Sequence, residues 1–221
     1  MKNRLPILIV ALVLVLAPST TLAQVTQTGK AYKLRMAWKK GDVYKYRIEL
    51  KIDMPNGKSM PTSGDVTLKV IDVKAGVADV EIESTNMASK TPTKQKLKMD
   101  SLGQIGDLDG MSGISSQRLP EKSIKIGESW SMKRKVNQGG VEMDVLTIYT
   151  LKAVKAVNGI KCAVLEVKAT TTKGFITDTG GTMLLEAKNG QMLSLDLLTK
   201  ITMGTGAQAQ SMKSTTTAKR V

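Results

Sequence analysis

Residues 42–54 read DVYKYRIELKIDM, and this stretch decides the fold class of the chain. Every second side chain from Tyr44 to Met54 is apolar, and the side chains between them are charged. A period of two residues places the apolar side chains on one face of a β-strand and the charged ones on the other. An α-helix, with about 3.6 residues per turn, would mix the two sets. The stretch therefore predicts a long strand with one buried face and one face in water.

The rest of the chain repeats this pattern between short turn signals. Long alternating or apolar stretches cover residues 65–84, 129–172 and 182–203, and three of the turns contain Asn-Gly. Asn-Gly favours tight hairpin turns because both residues tolerate a positive φ. No stretch after residue 23 has a sustained helical period. The sequence predicts an all-β protein, an antiparallel meander of about ten strands that forms a strongly curved sheet, an open barrel or a sandwich.

The first 23 residues differ from everything that follows. Lys2 and Arg4 precede an apolar run over residues 5–17, and small residues lead up to Ala23. This arrangement is typical of a secretory signal peptide, here cleaved between Ala23 and Gln24. The run is shorter than the roughly 20 residues of a membrane span, so an uncleaved anchor is the lesser alternative. We expect an exported protein, periplasmic or extracellular, that is not an integral membrane protein after cleavage.

Residues 24–221 are long enough to form a single β domain with its own core. Residues 24–33 are polar, and we expect them to be frayed. Residues 106–118 are rich in Gly, Ser and Asp, which predicts a connecting loop. Residues 204–221 are predicted to turn into a last polar strand, with a disordered tail as the alternative.

Three short matches relate the two halves of the domain, at offsets of 86, 83 and 87 residues. They pair residues 41–46 with 127–132, 67–70 with 150–153, and 103–105 with 190–192. Matches in the same order at similar offsets indicate a duplicated unit. We therefore expect an internal repeat, residues 34–108 and 119–203, whose halves close on each other as a sandwich or continue as one strongly curved sheet or open barrel.

The chain is strongly basic, but its composition argues against nucleic-acid binding. Loss of Lys2 and Arg4 with the signal peptide lowers the net charge from +14 to +12, and lysine supplies most of it. Proteins that read nucleic acid depend on arginine and on stacking aromatics, and this chain has two Trp, four Tyr and one Phe. Lysines on the wet faces of strands keep a β-protein soluble and discourage pairing of sheet edges. The alternative is that these lysines bind an anionic surface of the envelope.

The residues needed for common catalytic and metal sites are missing. The chain has no histidine, which removes Ser-His-Asp and Cys-His nucleophiles and most zinc sites. Cys162, the one cysteine, lies in the apolar run 160–167 and is predicted to be a buried free thiol. The carboxylates fall mostly on outward strand positions. We expect no catalytic residue, no metal site and no cofactor. We therefore expect that the protein is not an enzyme.

Residues 38–46 read WKKGDVYKY, and residues 119–130 read LPEKSIKIGESW. These segments resemble the GDxYxY strand and the LPxxxVxxGDxW segment of an uncharacterised family of exported bacterial β-rich proteins, many of them lipoproteins. The chain departs from that family in having no lipidation cysteine and in having Glu128 where Asp is commoner. The resemblance implies a bacterial envelope setting and no particular activity. More distantly, the plan of long strands resembles the half-barrels that carry lipoproteins across the periplasm.

The apolar strand faces are the strongest candidates for a binding site. Methionine occurs 13 times, and Met with Leu makes an adaptable lining that suits a lipid-like ligand, although Met also simply fills cores. Alternation over residues 129–136 places Arg134 on the same side as Trp130 and Met132. The residues predicted to line a ligand are Tyr44, Tyr46, Ile48, Trp130, Met132, Leu193, Leu195 and Leu197.

Two functions are therefore expected. The first is a non-catalytic β-protein of the bacterial envelope that binds a hydrophobic or lipid-like ligand. The second is a structural or interaction protein that has no small-molecule ligand and whose Lys-rich surface contacts anionic polymer or membrane. The two differ in whether the halves enclose space, which the sequence does not decide because filled and empty β-cores have the same alternation.

Overall fold

The computed structural model describes residues 25–85, 92–105, 118–138, 141–171, 176–203 and 210–221. In these ranges the chain forms strands and turns with no helix, so none of the described segments is a helix that could cross a membrane. The strands are β1 (Val25–Thr28), β2 (Ala31–Leu34), β3 (Val43–Asp53), β4 (Ser59–Lys74), β5 (Val77–Thr85), β6 (Pro92–Met99), β7 (Ile124–Lys125), β8 (Ser129–Gln138), β9 (Val141–Val157), β10 (Ile160–Thr171), β11 (Ile176–Glu186), β12 (Met192–Met203) and β13 (Gln210–Arg220). The predicted all-β class is confirmed. The predicted cleavage site at Ala23 and Gln24, and residues 106–117 of the predicted loop, lie outside the described residues.

Ten strands form one antiparallel sheet in the order β6-β5-β4-β3-β13-β12-β11-β10-β9-β8. Strands that follow one another in sequence are neighbours within each half, as expected of a meander. The last strand does not lie at an edge, because β13 pairs with β12 on one side and with β3 on the other. It therefore joins the first half of the chain to the second. The edges of this sheet are β6 and β8.

A second sheet of three strands has the order β1-β2-β7, and its buried side chains join the same core cluster as those of the large sheet. The expectation that residues 24–33 are frayed is wrong for its described part, because β1 and β2 form a hairpin in which Val25 pairs with Leu34. Both side chains are buried, with exposures of 5% and 0%. The backbone N–H of Val25 also donates to the carbonyl oxygen of Ala187, 2.9 Å away. These two apolar residues hold an otherwise polar segment against the core.

The core lies on one face of the ten-stranded sheet, called here the inner face. Its buried cluster includes Val80 and Leu97 from β5 and β6 and also Leu151 and Leu165 from β9 and β10. These strands lie near opposite edges of the sheet, so their side chains meet only because the sheet curls around them. β6 and β8 are not hydrogen-bonded to each other. The sheet is therefore curled but unclosed, in agreement with the predicted open barrel or curved sheet.

The strands that open the two predicted repeats begin with the same backbone geometry. Gly41 and Gly127 have φ angles of 89° and 91°, which favour glycine. The N–H of Gly41 donates to the carbonyl of Val70 at 2.9 Å, and that of Gly127 donates to the carbonyl of Leu151 at 2.7 Å. These glycines serve the turn into a long strand. The internal repeat as a whole stays a prediction.

Candidate functional site

Cross-strand register arranges the inner face in rows that run across the strands. Within a row each residue is paired with its neighbours on the adjacent strands, and successive rows are two residues apart, about 7 Å along the strand. Four rows matter, and they are named here from the core outward. The core row is Leu151, Leu165, Met183, Leu195, Ala218, Ile48 and Gly64. The aromatic row is Trp130, Tyr149, Val167, Gly181, Leu197, Thr216, Leu50 and Thr62.

The next two rows lie nearer the hairpin turns at the far end of the sheet. The hydroxyl row is Met132, Thr147, Ala169, Thr179, Thr199, Ser214, Ile52 and Met60. The rim row is Arg134, Val145, Thr171, Thr177, Ile201 and Met212. In this last row Thr171 and Thr177 are joined by a hydrogen bond of 2.9 Å from the Thr177 N–H to the Thr171 Oγ1.

Burial decreases across these four rows, although Met143, the next inner-face residue of β9 beyond the rim row, is again buried with 5% exposure. All residues of the core row are buried except Leu195, which is half-buried. In the hydroxyl row only Thr147 and Ser214 are buried, and Met60 is 59% exposed. No residue of the rim row is buried, and no residue of either outer row belongs to the core cluster. The inner face is therefore filled at the core row and only partly covered over the hydroxyl and rim rows, which together are called here the open half.

The open half combines apolar side chains with hydroxyl groups. Ile52, Ile201 and Met212 are half-buried and continue the apolar face beyond the core. The hydroxyls of Thr179 and Thr199 hydrogen-bond to each other across β11 and β12 at 3.0 Å. Because these polar groups are paired with each other, covering them with an apolar chain costs less than covering unpaired hydroxyls.

Gly181, in the aromatic row next to the open half, allows the neighbouring strand β12 to approach closely. A Cβ at this position would overlap the carbonyl oxygen of Asp196 and crowd the side chain of Leu197. The absence of a side chain lets Leu197 lie over β11, where it packs against the edge of the core cluster. Gly181 therefore allows the close approach of Leu197 in the aromatic row.

The residues predicted to line a ligand fall into three groups. Tyr44 and Tyr46 lie on the inner face but in the packed core, each 7% exposed. The hydroxyl of Tyr44 donates to Oδ2 of Asp42 at 2.9 Å. Burial raises the pKa of both phenols, that of Tyr46 to about 12. These two side chains pack within the core cluster and lie away from the open half.

Five predicted residues lie together in adjoining rows. Ile48 and Leu195 belong to the core row, Trp130 and Leu197 to the aromatic row, and Met132 to the hydroxyl row. Their assignment as ligand-lining residues stays a prediction, since no ligand is present.

Leu193 differs from its predicted partners Leu195 and Leu197. It is the extra residue of a bulge, because Ser194 pairs with Leu184 and Met192 pairs with Leu185. A bulge breaks strict alternation, so the argument that placed Leu193 on the same face does not hold at this position. Sequence reasoning also missed the hydroxyl-bearing residues of the open half. Threonines that alternate along β10 to β13 give the same sequence pattern whether they lie on the inner face or on a solvent-exposed face.

Comparisons with known proteins add little to this geometry. The sequence matches no known protein family, and it matches no curated protein. A LolA superfamily protein from Nitrosomonas europaea is a similar solved structure, with 10% sequence identity, coverage of 80% of this chain and 84% of that chain, and a TM-score of 0.21. A TM-score this low carries no argument, so the functional conclusion rests on the residues themselves.

The outer face of the sheet is a lattice of opposite charges. Cross-strand ion pairs join Lys98 to Asp79 at 2.9 Å, Lys94 to Glu83 at 3.3 Å and Lys135 to Glu142 at 2.9 Å. Lys168 and Lys152 both lie beside Glu166 and lower the pKa of its carboxyl. The lysines predicted to form a basic surface are thus interspersed with carboxylates, which weakens the field of that face.

The outer face also carries a shallow recess of about 460 Å³ over β4, β3 and β13. It is lined by Glu49, Leu50, Lys51, Pro61, Thr62, Ser63, Thr215 and Thr217. Six of these eight residues alternate with those of the aromatic and hydroxyl rows, whereas Leu50 and Thr62 belong to the aromatic row. The recess therefore lies mainly on the side of the sheet away from the open half.

Cys162 is a free thiol with no exposed surface, as predicted. Burial raises the pKa of the thiol, which opposes formation of a nucleophilic thiolate. Among the described residues, no three His, Cys, Asp or Glu side chains are grouped closely enough to hold a metal ion.

Proposed function

We propose that this protein is an exported, non-catalytic carrier that binds a hydrophobic, lipid-like chain against the open half of its inner face. The observation that carries the proposal is the decline in burial along the inner face from the core row to the rim row, with apolar side chains continuing into the outer rows. A sheet that served only to enclose a core would end its apolar face where the core ends. Here the half-buried side chains of Ile52, Ile201 and Met212 continue it beyond the core cluster.

The energetics favour occupation of this surface. Burial of apolar area contributes about 25 cal/mol per Å², so each half-covered Ile or Met would add about 1 kcal/mol when a chain covers it. Met60, Met132 and Met212 lie in the two outer rows, and flexible thioether side chains adapt to ligands of different shape. A carrier with this lining would bind chains of one chemical class with little selectivity for length.

The proposal is tested with the neutral fluorescent probe N-phenyl-1-naphthylamine. Ile201→Asn places an amide in the rim row and is expected to weaken probe binding at least about fivefold, by the loss of roughly 1 kcal/mol of apolar contact. Leu198→Asn is the matched control, because Leu198 is on the same strand, is 54% exposed and pairs with Thr215 and Gly180 on the outer face. Equal binding by both variants, or no binding by the wild-type protein, would contradict the proposal.

The competing function, contact between the lysine face and an anionic polymer or membrane, gives a different result. Binding to vesicles containing phosphatidylglycerol would then fall steeply as salt rises, since the contacts are between exposed charges. It would also be unaffected by Ile201→Asn. The cross-strand ion pairs of the outer face favour the carrier over this alternative.

A further inference from the structure

Large apolar side chains are exposed mainly at one end of the ten-stranded sheet. Nine are exposed among the described residues, and six of these lie where β3, β5 and β10 begin, near the ends of β4 and β13, or in the connection into β8. With exposures between 38% and 79%, the six are Val43, Ile71, Val77, Ile126, Ile160 and Val221. None belongs to the core cluster. The open half lies at the opposite end of the same strands.

The same end carries lysines that have no carboxylate partner. Five of them are exposed and form no ion pair within the described residues: Lys39, Lys125, Lys155, Lys161 and Lys188. Asp72 lies between Lys40 and Lys74, at 3.5 and 3.2 Å. The other carboxylates at this end accept hydrogen bonds within the chain and belong to Asp42, Asp100, Glu121, Glu128 and Glu186. Positive charge is therefore in excess here, unlike on the outer face of the strands, and this end is called the basic end.

Apolar and basic side chains lie side by side in two groups at the basic end. In the first group, Val77 pairs with Lys74 across a tight turn, and Ile71 precedes that turn on β4. Ala75 in the turn is exposed and has φ of 49°, a left-handed conformation that is costly for alanine. The matching position of the turn between β9 and β10 is Asn158, with φ of 50°. The first turn therefore keeps an apolar tip although its backbone favours asparagine or glycine.

The second group surrounds the turn between β9 and β10. Ile160 is the first residue after that turn and pairs with Val157, and Lys161 follows it. The N–H of Ala187 donates to the carbonyl of Lys161 at 2.8 Å, which brings the turn that contains Lys188 alongside. Each group therefore presents an exposed β-branched residue next to exposed ammonium groups.

We propose that the basic end docks the protein on an anionic phospholipid membrane, with its lysines at the lipid phosphates and Val77 and Ile160 inserted among the head groups. Lysines close to an anionic leaflet are attracted to it, and exposed apolar area adds to the binding. The apolar residues favour a membrane over a polyanionic polymer, because a polymer offers no apolar region to cover them. The inference goes beyond the carrier function and does not depend on it. In this orientation the open half lies on the side away from the membrane.

The charge requirement is tested by sedimentation with vesicles of phosphatidylcholine alone or mixed with phosphatidylglycerol. We expect the wild-type protein to bind only the mixed vesicles. The double variant Lys155→Gln, Lys161→Gln should bind them at least about tenfold more weakly. The matched control, Lys96→Gln with Lys133→Gln, removes two exposed lysines from the outer face of β6 and β8 and should leave binding unchanged.

The apolar requirement is tested with Val77→Asn and Ile160→Asn together, which should weaken binding to the mixed vesicles at least about fivefold. The control pair is Ile148→Asn with Leu198→Asn. These two outer-face residues are 38% and 54% exposed in the middle of their strands, and the pair should bind as the wild-type protein does.

A fluorescent label gives a readout that leaves the lysines and the two β-branched residues of the basic end in place. A nitrobenzoxadiazole group on Ala75→Cys should gain fluorescence on the mixed vesicles, because it enters the apolar part of the interface. The same label on Lys58→Cys, an exposed position at the opposite end of the sheet, should not. Cys162 has no exposed surface and does not compete for the label.

Weaker binding by both double variants of the basic end, with a signal from the label at residue 75, supports membrane docking. Weaker binding by the lysine variant alone, without that signal, would indicate contact with polyanions only and overturn the proposal. Similar losses in the two lysine pairs, equal binding to both kinds of vesicle, or no binding by the wild-type protein would also overturn it. None of the substituted residues lies in the open half, so all variants should still bind N-phenyl-1-naphthylamine without vesicles. The carrier function is therefore judged separately.

Discussion

Trp130 stacks on Tyr149 across β8 and β9, with ring centroids 5.3 Å apart and ring planes inclined by 18°. The indole Nε1–H of Trp130 also donates to the carbonyl oxygen of Arg118 at 2.7 Å. The Trp130 side chain thus packs the edge strand β8 against β9 and fixes the connection that precedes β8. Trp38 has a similar link, from its Nε1–H to the carbonyl of Asp100 at 2.9 Å.

Replacing Trp130 should separate the two contributions. Trp130→Ala loses both the stack and the hydrogen bond, and we expect the free energy of unfolding to fall by about 2–4 kcal/mol. Trp130→Phe keeps an aromatic ring on Tyr149, so it should cost only about 1 kcal/mol, the typical value of one hydrogen bond. Urea unfolding followed by circular dichroism measures both values. Equal losses in the two variants would mean that stacking contributes nothing.

Gly190 should not tolerate a side chain. Its φ is +69°, and a Cβ would overlap the backbone carbonyl of Arg35. We expect Gly190→Ala to destabilise the protein by more than the roughly 1–2 kcal/mol that a left-handed backbone alone costs an alanine. Gly57→Ala is the control, because Gly57 has φ of +79° with open space around its Cβ position. A similar loss in both variants would show that the contact with Arg35 carries no weight.

Buried tyrosine should make the fold sensitive to alkali. Burial raises the pKa of Tyr46 from its ordinary value of 10.0 to about 12. The folded protein therefore holds the phenolic proton more tightly than the unfolded chain, so this contribution is intact below pH 10 and is lost as the pH rises towards 12. Between pH 9 and 12 we expect the wild-type protein to lose about 2 kcal/mol more stability than Tyr46→Phe. Parallel losses would show that Tyr46 is not involved.

The ion pair between Arg220 and Glu186 should matter more than those on the surface. Its Nη2 and Oε2 atoms are 2.6 Å apart, and the two side chains are only 21% and 15% exposed. A double-mutant cycle with Glu186→Gln and Arg220→Gln should give a coupling energy of about 1–3 kcal/mol. Arg47 and Asp65, 3.1 Å apart and about half exposed, should give less than about 1 kcal/mol. A coupling energy no larger than that of Arg47 and Asp65 would show that the Arg220–Glu186 ion pair does not stabilise the end of β13.

Alternation along each strand predicted the fold class because it is a local signal. Residues 42–54 show it most clearly, and their apolar side chains are indeed on the inner face of β3. The same rule placed Arg134 beside Trp130 and Met132 on β8. It does not apply at Leu193, where a bulge inserts one residue and breaks the period. The separate expectation that the polar residues 24–33 are frayed was wrong for residues 25–33, because the hairpin and its contacts with the core hold them in place.

The sequence by itself determined that the chain is all-β, which side chains share a face, and which turns are tight. Only the tertiary structure decided that β13 lies between β12 and β3, that the sheet curls without closing, and that the connected core cluster ends at the aromatic row. The physical reason is that strand periodicity is fixed by neighbouring residues. Strand pairing, curvature and the extent of covered surface depend instead on contacts between residues that are far apart in the chain.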